Sequence, residues 1–282
     1  MGIEFYTYPR KKTTLLFRYF LLFAVVVLIS ACTTVPITER RSLQILPDSE
    51  LATLSLEQYS EVLKKSKLSN DPQKLQMVRR VGGRIAQATE EFFRESGVEE
   101  EIKNYRWEFN VIEDDKVVNA WCMPGGKVAV YTGLLPVAGN ETGLAVVLGH
   151  EIAHAIAKHG NERMSQGLLV QLGGLGLAAA LGSQPAATTN LFMTAYGAGA
   201  QVGFLLPYSR VHESEADRIG LILMAKAGYD PRQAIPFWER MNAKGGSRPP
   251  EFLSTHPAPE TRIESIKALI PEAMRYYRPR SS

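Results

Sequence analysis

The chain has 282 residues and a formal net charge of +3, with 32 basic and 29 acidic residues. Its length allows one substantial folded core, and the nearly balanced charge, without any block of basic residues, excludes a typical nucleic-acid-binding protein. Two cysteines, Cys32 and Cys122, are too few for a disulfide framework.

The first 31 residues have the features of a secretory signal peptide. Four basic residues precede an apolar run from Tyr19 to Ile29, which is shorter than the roughly 20 residues of a membrane-spanning helix. Small residues directly before Cys32 are similar to the bacterial lipobox. We therefore predict a lipoprotein signal peptide over residues 1–31 and a lipid-anchored chain that begins at Cys32; the alternative is an uncleaved anchor. Because the excess of positive charge lies in this segment, the rest of the chain is formally neutral.

The next part of the chain divides into a linker and a domain. Residues 32–47 are polar and contain two prolines, which predicts a linker after the lipidated cysteine. Apolar residues at helical spacing begin at Asp48, and a second helical pattern follows Asp71 and a proline. We expect residues 48–282 to form a single domain.

Three segments rich in β-branched and aromatic residues predict strands at residues 107–113, 117–123 and 127–131. Pro124-Gly-Gly between the last two is a turn signal. We expect a short antiparallel sheet directly before the next helix, with Cys122 buried as a small apolar side chain. Since helical patterns dominate elsewhere, the predicted fold class is α+β, mostly α-helical.

The stretch His150-Glu-Ile-Ala-His is typical of a zinc hydrolase. On an α-helix, residues i and i+4 lie about 40° apart around the axis and about 6 Å apart along it, so both imidazoles can reach one metal ion. Glu151 lies about 100° further round, where a carboxylate can accept a proton from an attacking water. The apolar flanks indicate a buried helix rather than a surface helix with scattered polar residues. His159 falls on the opposite side of such a helix, where we expect it to pack or cap.

A third metal ligand is expected downstream, because catalytic zinc usually has three protein ligands. Glu213 and Asp217 are four residues apart and share a helix face, which suits a ligand and an acceptor that orients a ligand histidine. We expect Glu215 to point elsewhere. Taken alone, this acidic cluster would be the solvated first turn of a helix. Candidates for an oxyanion donor, each with a structural role equally open, are Tyr208, Arg210 and His212.

Residues 164–209 contain no charged side chain. The two apolar halves of this segment predict either a pair of buried helices or a hairpin that enters a membrane. We expect burial, because Gln171 and Gln201 interrupt the two halves and an acyl anchor is already predicted.

Several motifs act together as a signature over roughly residues 50–272. They are Asn119-Ala, Pro124-Gly-Gly-Lys-Val, Tyr131-Thr-Gly-Leu-Leu, Leu148-Gly-His-Glu-Ile-Ala-His-Ala, Glu213-x-x-Ala-Asp-Arg-Ile-Gly, Thr255-His-Pro and Arg262-Ile. In this combination the chain resembles the zinc metallopeptidases of the CAAX prenyl protease and HtpX type, in the branch of Oma and of periplasmic lipoproteins such as LoiP and BepA. The resemblance implies a zincin-like domain with one Zn²⁺ per chain.

The resemblance also assigns roles to residues. It implies that His150, His154 and Glu213 bind the zinc, that Glu151 is the general base and that Asp217 is the partner of a ligand histidine. His256 matches a histidine that can approach the zinc as a fourth, regulatory ligand and hold the enzyme latent; the alternative for its segment is a loop that starts a helix.

Substrate binding is implied by the same resemblance. Asn119 and Ala120 match an edge strand that faces the cleft, where an extended peptide can add as a further strand. The alternative is that Asn119 merely interrupts a strand with a polar residue.

We therefore predict a zinc-dependent endopeptidase that hydrolyses unfolded or misassembled proteins of the cell envelope. Thr33 after the lipidated cysteine implies, by resemblance, an outer-membrane lipoprotein that faces the periplasm of a bacterial cell, with envelope assembly machinery as a candidate partner. The alternatives are a chaperone-like or latent peptide-binding protein that uses the same cleft with little cleavage, and a structural or storage site for metal.

Overall fold

The computed structural model describes residues 32–172, 209–244, 250–256 and 261–279. The predicted signal peptide and most of the uncharged segment 164–209 lie outside the described residues. Within the described ranges, none of the helices combines the length and the apolar composition needed to cross a bilayer.

The segment predicted to be a linker is folded. Strands β1 (Cys32–Thr34) and β2 (Arg41–Leu43) pair as an antiparallel hairpin. Val35 and Leu46 are 1% and 3% exposed, so the chain from residue 32 onward packs against the domain. The prediction of a linker at 32–47 was wrong because Val35 and Leu46, two apolar residues among polar ones, are buried in the domain.

Two helices follow as predicted. Helix α1 (Asp48–Lys65) precedes α2 (Pro72–Glu95). Asp71, directly before α2, accepts hydrogen bonds from the second and third backbone N–H groups of that helix. This cap, with proline in the first turn, defines where α2 begins. A short 3₁₀ turn (Glu99–Ile102) leads into the sheet.

The sheet contains β3 (Glu108–Ile112), β4 (Ala120–Met123) and β5 (Lys127–Tyr131) in the order β3-β5-β4. β4 and β5 are antiparallel around a tight turn in which two glycines have φ of 81°. β3 and β5 are parallel, so the expectation of an antiparallel sheet was only half right. β4 starts at the end of the sheet where β3 stops, and β5 returns between them. Cys122 is buried as expected, and burial raises the pKa of its thiol.

Helices form the rest of the described domain. They are α3 (Leu135–Ala138), α4 (Glu141–Ile156), α5 (His159–Leu172), α6 (Arg210–Lys226), α7 (Ala234–Ala243), α8 (Glu251–Thr255) and α9 (Arg262–Met274). Every residue of α4 from Gly143 to Ile156 is buried, which agrees with its apolar sequence. The fold class is therefore α+β and mostly helical, as predicted.

Helices α4 and α6 meet at two glycines. A Cβ on Gly149 would lie 2.8 Å from the carbonyl oxygen of Gly220, and a Cβ on Gly220 would lie 2.9 Å from the backbone nitrogen of His150. Backbone atoms cannot move aside as a flexible side chain can, so both positions require glycine. This close contact brings α6, which carries Glu213 and Asp217, directly beside α4, which carries His150 and His154.

We expect Gly220→Ala to lower the free energy of unfolding by about 1–3 kcal/mol, the usual cost of overpacking. The matched control is Gly83→Ala in α2, where an added Cβ has nothing within 4 Å and should stabilise by about 0.5–1 kcal/mol. Urea unfolding followed by circular dichroism measures both. A Gly220→Ala protein as stable as the control would contradict the close contact of the two helices.

Candidate metal centre

Four residues predicted as metal ligands lie together. His150 and His154 are one turn apart on α4, Glu213 is in the first turn of α6, and His256 directly follows α8. Their donor atoms all lie within 4.8 Å of one another, and all four residues are buried. Residues more than 100 positions apart in the chain thus point their donors at one small volume.

The spacing of these donors fits a metal ion. The Nε2 atoms of His150 and His154 are 3.1 Å apart, and they lie 3.4 Å and 3.3 Å from the two carboxylate oxygens of Glu213. Ligand atoms about 2.0–2.1 Å from a tetrahedral zinc ion are about 3.3 Å from each other. In the part of the chain that the structure describes, both Glu213 oxygens are buried and face the two imidazole nitrogens. A cation between these groups removes the cost of burying them.

His150 is oriented from behind by Asp217. Its Nδ1 lies 3.0 Å from Asp217 Oδ1, so that Nε2 is directed at the cluster, an arrangement that usually fixes a ligand histidine. Burial alone would lower the pKa of His150, but hydrogen bonds with Asp217 and Glu213 raise it to about 9. The site without metal therefore favours a positive charge at this ring, which is the charge that a metal ion supplies.

Arg262 holds Asp217 in place, a role that the sequence did not indicate beyond its place in a motif. Its Nε and Nη2 donate to the two oxygens of Asp217 at 2.8 Å and 2.6 Å, and its Nη1 lies 3.2 Å from Glu213. The guanidinium stacks 3.5 Å from the centre of the Trp238 ring. Nothing in the spacing of the sequence predicts that a residue from the last helix reaches this carboxylate.

His154 is oriented by a residue that we expected to face away. Helix α4 ends at Ile156, and Lys158 adopts a positive φ of 56°, which turns the chain so that His159 opens α5. The Nδ1 of His159 lies 2.8 Å from the Nδ1 of His154. The expectation that His159 lies on the opposite side was wrong because it assumed that one continuous helix carries both rings.

Glu215 completes this second arrangement, although we expected it to point elsewhere. Its Oε2 lies 2.9 Å from the Nε2 of His159. Burial would raise the pKa of Glu215, but hydrogen bonds with His159 and two other residues lower it to about 2. His150 and His154 thus each have a carboxylate behind them, one directly and one through a second imidazole.

Glu151 lies beside the cluster, as the helix geometry predicts. Burial raises the pKa of its carboxyl to about 8, although a hydrogen bond with the backbone of Cys122 in β4 lowers it. A carboxyl with a pKa near neutrality both accepts and returns a proton with little driving force lost. Burial would also raise the pKa of Glu213, but His256, His150 and Arg262 lower it to about 2. The two glutamates therefore differ in charge state and suit different tasks.

His256 faces Glu151. Its Nδ1 lies 3.1 Å from the carbonyl oxygen of Phe252 and 2.8 Å from Thr255 Oγ1, and its Nε2 lies 3.4 Å from Glu151 Oε1. The ring stacks on Phe252 with centroids 4.5 Å apart. The short helix α8 therefore fixes the ring against the cluster by local contacts.

The residues predicted to bind substrate lie at an edge of the sheet. Ala120 opens the edge strand β4, and Asn119 precedes it; both are buried. Helix α8 covers this edge, because Phe252 N donates to the carbonyl of Val118 at 3.2 Å and Asn119 Nδ2 donates to Glu251 at 3.2 Å. The side chain of Asn119 also accepts from Ala120 N. The backbone carbonyl of Val118 and the side chain of Asn119 are thus engaged by the chain's own C-terminal part.

The three oxyanion candidates differ in their environment. Tyr208 lies outside the described residues, and Arg210 is exposed. The Nε2 of His212 lies 3.1 Å from Glu162, and its ring stacks on that of His159. His212 therefore belongs to the packing behind His154.

Comparison with known proteins identifies relatives of similar sequence. Residues 80–270 match the sequence pattern of Peptidase family M48. The mitochondrial metalloendopeptidase OMA1 of Saccharomyces cerevisiae is 38% identical over 184 residues, which cover 62% of this chain and 50% of that protein. The metalloendopeptidase OMA1 of Bos taurus is 32% identical over 249 residues (85% and 46%), and the beta-barrel assembly-enhancing protease of Escherichia coli is 34% identical over 166 residues (56% and 33%). The chain spans half or less of the length of these relatives. The matches confirm the resemblance described above.

We expect the purified protein to bind one zinc ion per chain and Glu213→Gln to weaken binding by more than about 100-fold, above the range typical of residues behind a ligand. Competition with a chromogenic chelator measures the dissociation constant. Zinc at a hundred times this constant should raise the free energy of unfolding by about 2.7 kcal/mol.

The matched control is Glu264→Gln on α9, whose side chain is 71% exposed. It should leave zinc affinity unchanged. Equal affinities of the two variants would show that Glu213 is not a ligand.

Proposed function

Because the chain belongs to Peptidase family M48, we propose that it is a zinc-dependent endopeptidase that cleaves unfolded or misassembled proteins of the bacterial cell envelope. The observation that carries this proposal is the buried cluster of His150, His154, Glu213 and His256, with the carboxyl group of Glu151 beside it. A structural metal site would have no use for a protonatable carboxyl at this position.

The chemistry divides between the ion and the chain. A zinc ion held by His150, His154 and Glu213 would polarise the carbonyl of the scissile peptide and would make water a stronger nucleophile at neutral pH. Glu151 accepts the proton of the attacking water and delivers it to the leaving amine. Asp217 and Arg262 hold His150 in the orientation that this chemistry needs, and the buried surroundings strengthen each electrostatic contact.

The proposed substrates follow from the way a peptide would bind. Strand β4 lies at the edge of its sheet and carries the backbone group that contacts Glu151. A peptide that adds to such an edge is recognised through its main chain, with side chains contributing less. This mode suits extended, unfolded segments of many sequences and favours a role in protein quality control.

The envelope location is supported by the signal-peptide pattern before Cys32 and by the similarity to the beta-barrel assembly-enhancing protease of Escherichia coli. We propose an outer-membrane lipoprotein that faces the periplasm, with the assembly machinery of the envelope as a partner. The OMA1 relatives are named as mitochondrial, so location does not follow from family membership and rests on the N-terminal segment.

A latent state of the same enzyme is favoured by one feature. The segment of α8 and His256 is bonded to Val118, directly before Asn119 and β4, and lies against Glu151. A substrate strand that pairs with residues 118–120 has to displace this segment. We propose that the resting enzyme has α8 and His256 in this position. The alternative is a chaperone-like protein that binds peptides in the same cleft without cleaving them.

Glu151→Gln should lower the rate of peptide hydrolysis by at least about 100-fold, because the amide cannot transfer the proton. Zinc content should stay at one per chain, since Glu151 is not one of the donors in the cluster. Cleavage of unfolded casein and metal analysis measure the two quantities. If loss of a natural substrate in cells continues unchanged in the Glu151→Gln strain, the protein acts by binding and not by hydrolysis.

His256→Ala should raise the rate of casein cleavage several-fold, because the imidazole no longer occupies the space beside Glu151. Ser254→Ala, an exposed position of the same short helix, is the control and should not change the rate. Reduced cleavage by the His256→Ala protein would argue that the histidine serves catalysis instead of restraining it.

A further inference from the structure

The hairpin after Cys32 contacts two buried carboxylates through Arg40. Its Nε donates to Glu215 Oε2 at 2.7 Å, and its Nη1 and Nη2 donate to the two oxygens of Glu162 at 3.0 Å and 2.7 Å. Thr38 Oγ1 donates to Glu215 as well, and Ser42 Oγ donates to Glu162 at 2.9 Å. This fork-shaped contact with two acids is a geometry that only arginine provides.

Both carboxylates act on the same imidazole. Glu215 is hydrogen-bonded to His159 directly. Glu162 is hydrogen-bonded to His212, whose ring stacks on His159 with centroids 4.5 Å apart and planes at 27°. Arg40 therefore fixes His159 from two directions, once through a hydrogen bond and once through a stacked ring.

The donor and acceptor of each hydrogen bond can be followed from Glu215 through His159 to His154. An ionised carboxylate only accepts hydrogen bonds, so Glu215 requires the proton of His159 on Nε2. The Nδ1 of a neutral His159 is then an acceptor for the Nδ1–H of His154, 2.8 Å away. This leaves the lone pair of His154 on Nε2, the atom that faces His150 and Glu213.

The same arrangement occurs twice around the cluster. Arg262 from the last helix secures Asp217 behind His150, and Arg40 from the first hairpin secures Glu215 behind His159 and His154. Each ligand histidine thus depends on an arginine from one end of the described chain. The role of Arg262 is clear from direct contact, whereas that of Arg40 passes through two intermediates.

We propose that Arg40 is a positioning residue of the metal site, which fixes the orientation and the donor nitrogen of His154 through Glu215 and His159. The segment that joins the predicted lipid anchor to the catalytic domain is then part of the active-site structure and not a tether. This inference rests on the proposed metal-binding function of the cluster.

The test compares zinc affinity of the full chain with Arg40→Gln, Glu215→Gln and the double variant. Each single variant should weaken zinc binding by about 10–100-fold, the usual effect of losing a partner behind a ligand. The double variant should be no weaker than the worse single variant, because both changes break one path. Cobalt substituted for zinc should show an altered visible absorption spectrum in the single variants.

The control is Arg41→Gln, the same substitution at the adjacent, exposed arginine. Its zinc affinity and cobalt spectrum should equal those of the unsubstituted protein. Urea unfolding of the metal-free proteins separates loss of folding from loss of metal. Thr38→Val is the milder variant if Arg40→Gln does not fold; it removes one hydrogen bond to Glu215 and should weaken zinc binding by a few-fold.

Two results would overturn the inference. Zinc affinity of Arg40→Gln within twofold of the unsubstituted protein, or unchanged affinity of Thr38→Val where Arg40→Gln does not fold, contradicts the positioning role alone. An unsubstituted chain that binds no zinc contradicts the proposed function together with the inference.

Discussion

The structure depends on the burial of several charged and polar groups at the contact of α4 and α6. Two imidazole nitrogens and a buried carboxylate lie 3.1–3.4 Å apart inside the core. Such a group is unfavourable on its own, because each member has lost its water. It becomes favourable when a cation joins the donors and when carboxylates and arginines satisfy the outer nitrogens. The helices can approach closely enough to assemble the group only because Gly149 and Gly220 have no side chain at the crossing.

The same requirement explains why distant parts of the chain converge here. Asp217 comes from α6, Arg262 from α9, and Arg40 from the hairpin before α1. A buried network of this kind is stable when all its members are present and costly when one is missing. The folded domain therefore includes the segment directly after Cys32, and the order of the metal site reports on both ends of the described chain.

Much of the inner site could be predicted from sequence because it obeys local rules. Helical spacing relates His150 to His154 and Glu213 to Asp217, and an apolar flank marks the first pair as buried. The outer contacts could not be predicted, because they join residues without a regular spacing. His159 was misjudged since no pattern in the sequence shows that α4 ends two residues before Lys158 turns the chain.

The order of the sheet and the packing of residues 32–47 could not be predicted for a related reason. Alternation identifies a strand but not its neighbour, and a few apolar residues among polar ones give little signal.

We propose that one zinc ion lies between the donors of His150, His154 and Glu213. Anomalous X-ray diffraction from crystals of the zinc-loaded protein, measured on both sides of the zinc absorption edge, tests it directly. We expect one strong peak bounded by His150 Nε2, His154 Nε2 and a Glu213 oxygen. A peak at any other set of side chains, with these three donors free of metal, would contradict it.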